Sequence, residues 1–446
     1  MKNKLSAPLL LLLAVTACLS FFYTPHHVQA ATGPEEYKKP AAKKTASQQP
    51  GAVMKDRPTA GDSASAAQFA WLLFLYAMQP STGSGGPLTF ENWTEQCQLN
   101  PNQIGCPTQA QLAAHRGTNG RVRILHGSAL AKKMVGLKAN QPGAECNGMT
   151  TGSLDGYPAP SNVVSSAQFC EEVFVNPAEK SFVTANGLTT LTGQQTYGKA
   201  HGGAITFPWS AVEVKADWVP VASFSNPTFS CPDPTNKLYT ETINGTCYAL
   251  VGLHISSKVL PDWVWATFEP NSSVTNPNRC DPKLYDTCFD PWGTTSSQPY
   301  GKGQTAQQSQ QLQQAMSNAH LNQAFNNYFL TGVQTQFVSN GSAIPLGSSF
   351  VEFNAGVPPG QASCITCHRY AYFDGKQPPS GSPEDNFGGA PNGWPNVGYA
   401  CNQNQNGNCT PVVPNSTSQD FSWMLGLMPY SGTGANAGAH KMKPKP

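Results

Sequence analysis

Apolar residues in this chain form two long runs before the pattern breaks into shorter segments. The first run covers 7–23 and follows two lysines at positions 2 and 4. The second begins near Ala67 and is so rich in Phe, Trp and Leu that it predicts a strongly apolar helix. Between the runs, 31–64 is rich in Lys, Ala, Pro, Ser and Gln without an apolar period, which predicts a flexible basic tether.

Beyond residue 90 the pattern changes from short strand-like segments to a helical one. Segments rich in β-branched and aromatic residues, bounded by Gly, Pro and Asn, predict strands at 206–208, 211–214, 248–255 and 263–268. Between 302 and 330, apolar side chains recur at helical spacing and predict a long helix. The tail 431–446 consists mostly of Gly, Ala, Lys and Pro, which predicts disorder.

The N-terminal apolar run has the form of an export signal. Val28 and Ala30 satisfy the small-residue cleavage rule, which predicts a signal peptide over 1–30 and a mature chain that begins at Ala31. The segment Val-Thr-Ala-Cys that ends at Cys18 is similar to a bacterial lipobox, so a lipid anchor at Cys18 is one alternative and an uncleaved anchor is another. The sequence thus predicts a periplasmic or secreted protein, or a lipid-anchored one.

Composition agrees with export and argues against a nucleic-acid partner. Charged residues make up only 12% of the 446, about half the usual share, and there are 13 cysteines. The formal net charge of +2 conceals an asymmetry, since 61–440 carries a net charge near −6 and the positive excess lies at the termini. We therefore expect no nucleic-acid partner, but a contact of the basic N-terminus with a membrane surface.

The most specific chemical signal is Cys364-Ile365-Thr366-Cys367-His368. About 0.008 matches to this spacing are expected by chance from the composition. Two thiols three positions apart can add to the two vinyl groups of one haem, and the adjacent imidazole can then bind the iron. The motif predicts one covalent haem c, with Cys364 and Cys367 as thioethers and His368 as the proximal iron ligand.

Three other interpretations of the motif have weaker support. A zinc site needs two further ligands, and no second Cys or His pair at similar spacing is present. A thioredoxin-like redox pair needs a βαβ context, whereas Gly- and Pro-rich segments surround this motif. A disulfide within the motif would be strained.

Cysteine parity gives an independent check. If Cys18 leaves with the signal and two cysteines hold haem, ten remain. They fall into neighbouring couples along the chain, and local pairing is the simplest prediction. The couples are Cys97/Cys106, Cys146/Cys170, Cys231/Cys247, Cys280/Cys288 and Cys401/Cys409.

The distal iron ligand is left open by the sequence. Ser418 is predicted to cap a short helix with Met424 and Met428 on one face, and a thioether on iron would favour electron transfer. The same methionine spacing is typical of ordinary core packing. A histidine is the alternative, with His254 first and His201, His126, His115 and His320 as further candidates, and an open position would permit small-ligand chemistry. Among the acidic residues, Glu171, Glu172, Asp217 and Glu269 are candidate acid/base groups whose default interpretation is exposure at the surface.

Several stretches resemble an uncharacterised family of exported bacterial cytochrome c-like proteins with one Cys-x-x-Cys-His motif. The resemblance covers about 69–425 and implies that the haem motif belongs to one family-wide architecture. No catalytic role follows from it, and the cysteine couples are additional to the family pattern. The stretches are Phe69-Ala70-Trp71, 186–188 with 193–194, 207–208 with 213–218, 250–254, 263–269, 363–368 and 420–423.

Together these observations predict an exported monohaem c-type cytochrome of the α+β class. A disulfide-rich, β-containing N-terminal domain is expected to precede a small helical part similar to cytochrome c. Electron transfer to or from a redox partner protein is favoured over catalysis. The alternatives are a peroxidase- or oxidase-like haem enzyme, with the N-terminal domain forming a substrate pocket, or a haem-based ligand sensor. The predicted order is signal peptide 1–30, tether 31–64, disulfide-tied α+β domain 65–300, long helix and connection 301–345, haem-bearing region 346–430 and disordered tail 431–446.

Overall fold

The structure is a computed structural model that describes most of the chain from residue 56 to residue 426. The described residues are 56–83, 86–99, 123–126, 146, 160, 162–164, 167–226, 229–271, 275–284, 288–339, 342–352, 362–369, 371–373, 401–403, 409–411 and 417–426. Only the backbone is described for 338–339, 342–343, 372–373, 401–403, 409–411 and 426. The predicted signal peptide, most of the tether, Met428 and the C-terminal tail therefore lie outside the described residues.

The helices are short after the first one. They are α1 (Ser63–Met78), α2 (Gln96–Leu99), α3 (Pro177–Ala185), α4 (Leu191–Ala200), α5 (Gln310–Asn318), α6 (Cys364–His368) and α7 (Trp423–Gly426). Single 3₁₀ turns occur at Phe90–Asn92, Val221–Ser223 and Gln323–Asn327. No helix in the described ranges is both long enough and apolar enough to span a bilayer.

One antiparallel sheet organises the described part of the chain. Its seven strands are β1 (Thr94–Glu95), β2 (Cys170–Val175), β3 (Val212–Pro220), β4 (Thr240–Ile243), β5 (Thr246–Ser257), β6 (Val264–Pro270) and β7 (Tyr328–Gln334). The order is β1-β2-β3-β5-β6-β7, and β4 forms a hairpin with β5. Two-residue and three-residue pairs complete the strands: β8 (Val338–Ser339) with β9 (Ser342–Ala343), β10 (Tyr372–Phe373) with β13 (Thr417–Ser418), and β11 (Cys401–Gln403) with β12 (Cys409–Pro411).

One face of the sheet is apolar and is covered by α1. The Asp62 carboxylate caps this helix by accepting a hydrogen bond from the Ala64 N–H, and most of the helix is buried. Trp71 and Phe74 pack against Phe268 of β6 at ring-centroid distances of 5.0 and 4.7 Å. The apolar helix predicted from Ala67 is therefore confirmed, and it packs into the main hydrophobic core.

The opposite face of the sheet carries polar and ionisable side chains. Cross-strand pairing places Lys215 beside His254 and His254 beside Thr267 on this face. The motif helix α6 and the segment 417–425 cover it, and both contribute to a hydrophobic cluster with Val175 of β2 and Trp265 of β6. The α+β class with an antiparallel sheet is confirmed, whereas a helical part similar to cytochrome c is not shown in the described residues. A five-residue helix cannot enclose a core of its own, so the motif packs on the sheet instead.

Two local predictions differ from the structure. The long helix predicted over 302–330 is a nine-residue α5 followed by the strand β7, because Asn322 caps a 3₁₀ turn and the aromatic segment after it joins the sheet beside β6. Ser418 does not cap a helix but lies in β13, opposite Tyr372. The strands predicted at 211–214, 248–255 and 263–268 are confirmed, and 206–208 is not a strand.

Three of the five predicted disulfides are confirmed, namely Cys146–Cys170, Cys231–Cys247 and Cys280–Cys288. Cys97 is also disulfide-bonded, and its predicted partner Cys106 lies outside the described residues. The Cys401/Cys409 pair remains a prediction. Each of these three disulfides joins cysteines that are neighbours along the chain, as local pairing predicts.

We expect the free energy of unfolding to fall as pH rises from 5 to 8. Burial raises the pKa of Glu91 to about 8, of Asp262 to about 7 and of Asp290 to about 6, so the folded chain holds protons that the unfolded chain has released. Each such group lowers stability by up to about 1.4 kcal/mol per pH unit over its own window. Urea unfolding followed by tryptophan fluorescence at pH 5, 6.5 and 8 measures this, and stability that is flat or rising would contradict it.

Candidate functional site

The Cys-x-x-Cys-His motif forms the whole of α6, and the sheet holds its first turn. Gln334 of β7 accepts a hydrogen bond from the Ile365 N–H at 3.2 Å and donates one to the Ser363 hydroxyl, also at 3.2 Å. The Cys364 thiol faces the Leu346 carbonyl at 3.6 Å. The backbone of the motif is thereby fixed at both the strand and the preceding loop.

Both motif cysteines are free thiols. Cys364 is buried and Cys367 is half-buried. Burial raises the pKa of the Cys364 thiol well above its usual range and that of the Cys367 thiol to about 12. The two thiols form no disulfide with each other, and burial disfavours their thiolate forms.

His368 is held as a neutral imidazole with a defined tautomer. Its Nδ1 lies 2.8 Å from the Phe421 carbonyl oxygen, which can only accept, so Nδ1 carries the proton and Nε2 keeps its lone pair. Burial lowers the pKa of His368 to about 3. The ring also packs on Trp265 of β6 at a centroid distance of 4.4 Å. A carbonyl on one ring nitrogen is the usual support for a histidine whose other nitrogen binds a metal.

The loop that presents the Phe421 carbonyl is itself anchored on the sheet face. Asp420 and Phe421 adopt φ angles of 52° and 68°, a left-handed conformation that is strained for a bulky residue such as Phe by about 1–2 kcal/mol. The Asp420 carboxylate offsets this strain by pairing with Lys258 Nζ at 2.5 Å and accepting from the Phe207 N–H at 2.8 Å. Observed strain next to a histidine with a free ligand nitrogen is typical of a functional site.

A group of ionisable side chains lies beside the motif on the same sheet face, and the sequence did not identify it as a site. His254 Nε2 lies 3.5 Å from the Glu352 carboxylate, and Lys215 Nζ lies 3.0 Å from the Glu171 carboxylate. Burial, followed by the nearby charge of Glu171, raises the pKa of Asp217 well above its usual range. The alternation of charged and apolar residues along β3 is the sequence signal that could have placed Lys215 and Asp217 on one face.

Glu352 reaches His254 because its chain segment packs closely on β5. A Cβ at Gly252 would lie 3.0 Å from Ser348 Oγ and 3.0 Å from Val351 Cγ2, so glycine favours the close approach there. One ligand atom from each of His254, Glu352 and Cys364 lies within 4.8 Å of the others. This set can hold a divalent cation. It therefore offers ligands for the zinc interpretation that the sequence alone did not show.

Of the predicted distal ligands, the structure brings two to the motif. Met424 is buried in the cluster that contains Cys364, Ile365 and Phe421, and His254 is half-buried next to Cys364. The other described histidines lie elsewhere. His201 stacks on Tyr197, His126 is buried near Glu95, and His320 is exposed after α5. Met428 and His115 lie outside the described residues.

The candidate acid/base carboxylates are not at the surface, contrary to their default interpretation. Glu171, Glu172, Asp217 and Glu269 are each at most 3% exposed, because all four lie on the inner strands β2, β3 and β6. Glu171 and Asp217 belong to the ionisable group beside the motif, whereas Glu172 pairs with Arg123.

The residues present fit a covalently attached haem. The fit rests on two free thiols one helical turn apart, on a neutral histidine whose Nδ1 is engaged, and on the aromatic rings of Trp265 and Phe421 next to it. No protein-family model, curated protein or solved structure matches this chain. The assignment of function therefore depends on the chemistry of the site.

Proposed function

We propose that the protein is an exported monohaem c-type cytochrome that transfers electrons to or from a redox partner protein. In this proposal, Cys364 and Cys367 form the thioethers and His368 Nε2 binds the iron, and the bound haem supplies one-electron chemistry between Fe(III) and Fe(II). The observation that carries the proposal is the Phe421 carbonyl on His368 Nδ1 at 2.8 Å, since it leaves only Nε2 for a metal and fixes the ring direction.

Export supports the same proposal. Covalent haem attachment requires delivery outside the cytoplasm in most systems, and the predicted signal over 1–30 would provide it. Confirmed disulfides at 146/170, 231/247 and 280/288 are typical of an oxidising compartment. A periplasmic or secreted location follows as part of the proposal.

Met424 is the distal ligand that best suits an electron carrier. Its side chain is 2% exposed and belongs to the same cluster as Cys364 and Phe421, so a thioether there is shielded from water. Ligation by sulfur raises the reduction potential and closes the iron to exogenous ligands. His254, which lies close to Cys364, is the alternative ligand.

A haem redox enzyme is the second candidate, and one observation favours it. His254 and Glu352, 3.5 Å apart, together with the nearby Lys215, place proton-transfer groups beside the motif. If no protein group occupies the distal position, these residues can orient a small molecule and move a proton to or from it. Ligand sensing would use the same open position.

Visible spectra of the holoprotein separate the two candidates. We expect a low-spin ferric form with the long-wavelength band of sulfur ligation, and a ferrous form that binds carbon monoxide slowly or not at all. Met424→Ala should abolish that band and open the iron to carbon monoxide, whereas Met316→Ala, at an equally buried methionine of α5, should change neither. A high-spin ferric form with immediate carbon monoxide binding would contradict the carrier proposal and favour the enzyme or sensor.

A further inference from the structure

Leu346, whose backbone carbonyl faces the Cys364 thiol, also lines a cavity of about 180 Å³. Glu269 of β6 and Thr331 of β7 line one side of it, and the disulfide-bonded Cys280 and Cys288, with Phe289, line another. The segment 344–347 closes another side. Neither the proposed haem attachment nor the ionisable group beside it uses this cavity.

Arg279 lines the cavity and is the unusual residue in it. The residue is 2% exposed, and none of its three guanidinium nitrogens has a hydrogen-bond partner among the described residues. Its guanidinium carbon lies 5.4 Å from the centroid of the Phe329 ring, which is a cation–π contact and leaves the N–H fork free. Burial lowers the pKa of Arg279, which is the expected response of a cation without a partner.

The acidic and polar groups near Arg279 do not supply a hydrogen-bond partner for its guanidinium. Glu269 Oε1 accepts from the Ser349 N–H at 2.5 Å, and Oε2 accepts from the Ser349 hydroxyl at 2.9 Å. Within the described ranges no ion pair joins Arg279 to a carboxylate at 4.0 Å or less, although Glu269 is close enough to influence its pKa. The Tyr300 hydroxyl donates to the Leu330 carbonyl at 3.0 Å. The guanidinium therefore faces space that an external acceptor can occupy.

We infer that the cavity binds a small organic monocarboxylate whose carboxylate pairs with Arg279. The planar fork of five N–H donors matches a carboxylate in a bidentate geometry. The remaining lining includes Phe289, Val333, Ile344 and Leu346, which suits an apolar body rather than a fully hydrated oxyanion. A cavity of about 150 Å³ holds a benzene-sized molecule, so this one has room for such a body and a carboxylate. Glu269 in the wall disfavours a second negative charge on the ligand.

The inference does not depend on the haem, and direct binding tests it. Isothermal calorimetry on the full mature chain uses benzoate as the probe, with neutral benzamide as its isostere and inorganic phosphate as the hydrated oxyanion. We expect benzoate to bind, benzamide to bind at least about 30-fold more weakly, and phosphate to show no heat. Benzoate should also raise the unfolding temperature, because it binds the folded chain alone.

Arg279→Met is the decisive variant, and Lys302→Met is its matched control. Lys302 is an exposed lysine near the same loop, paired with Asp281 at 3.3 Å, so its loss removes an equal charge outside the cavity. We expect Arg279→Met to lose benzoate binding by at least about 30-fold while its unliganded unfolding temperature stays at or above that of the wild type, since a buried cation without a partner is removed. Lys302→Met should bind as the wild type does.

A second variant keeps the test valid if Arg279→Met fails to fold. Ile344 is a half-buried residue that lines the cavity. Ile344→Phe retains the guanidinium and narrows the cavity at this position, so it should weaken benzoate binding at least tenfold more than acetate binding. Absence of benzoate binding to the wild type, equal binding by Arg279→Met, or a preference for phosphate would each overturn the inference.

Discussion

Replacing Cys364 and Cys367 together by Ala should yield a protein from which acid and organic solvent extract all of the haem. In the wild type the thioether bonds survive denaturation, so the haem should stay on the polypeptide in a denaturing gel and add its mass in intact mass spectrometry. The two thiols are free and lie on one five-residue helix, whereas every other cysteine whose side chain is described is disulfide-bonded. We expect a complete loss of covalent haem.

The matched control removes two cysteines elsewhere. Cys231→Ala with Cys247→Ala deletes a disulfide far from the motif in sequence and should lower stability by about 2–4 kcal/mol while leaving the haem attached. Haem that is still covalently bound to the Cys364/Cys367 variant would contradict the proposal. A wild-type protein without haem but with one equivalent of zinc would instead assign His254, Glu352 and Cys364 to a cation.

The sequence shows the motif itself but not the groups that surround it in the structure. The spacing of Cys364, Cys367 and His368 is a local feature, and a five-residue helix brings these residues onto neighbouring positions whatever the rest of the fold is. The partner of His368 is the Phe421 carbonyl, a backbone group 53 positions away, and no residue type signals such a contact in advance. The same holds for Glu352, which reaches His254 only because Gly252 lets two segments approach closely.

Several helices and strands could be predicted from the sequence, but the way in which they pack together could not. Helix α1 and strands β3, β5 and β6 have apolar patterns long enough to define them. The prediction separated the motif from the sheet because the Gly- and Pro-rich sequence around it shows no period. In the structure, Trp265 of β6 touches His368, and Gln334 of β7 accepts a hydrogen bond from the Ile365 N–H, so the motif segment is packed on the sheet. The helical spacing over 302–330 was misleading, since only residues 310–318 form an α-helix and the range ends in a 3₁₀ turn and the first residues of β7.

Arg123→Met should destabilise the fold by about 3–5 kcal/mol at pH 7.5. The guanidinium is 1% exposed and forms ion pairs with three buried carboxylates: Glu172 at 2.5 Å, Glu91 at 2.8 Å and Glu241. The guanidinium also lies over the Trp218 ring, with its central carbon 5.0 Å from the ring centroid. Without the cation, the carboxyl groups of Glu172, Glu91 and Glu241, which come from separate segments, remain together in a core from which water is excluded.

The pH dependence distinguishes this charge effect from a simple loss of packing. Burial already raises the pKa of Glu91 to about 8, with Arg123 opposing the shift and Glu241 and Glu172 adding to it. Removing Arg123 should raise the folded-state pKa of Glu91 further, so the folded variant binds a proton that the unfolded chain releases. Its stability therefore falls more steeply than that of the wild type between pH 5 and pH 8, by about 1.4 kcal/mol per pH unit for each added proton. Urea unfolding at pH 5 and pH 7.5 should show the smaller deficit at pH 5.

Two further variants make the charge argument testable at a single pH. Arg57→Met removes an exposed arginine and should change stability by no more than about 0.5 kcal/mol. Adding Glu172→Gln to Arg123→Met removes one of the repelling carboxylates, so the double variant should be more stable than Arg123→Met at pH 7.5. The charge argument would be contradicted if Arg123→Met lost the same stability at both pH values and Glu172→Gln destabilised it further. The lost contacts of the guanidinium with Trp218 and its neighbours would then account for the lower stability.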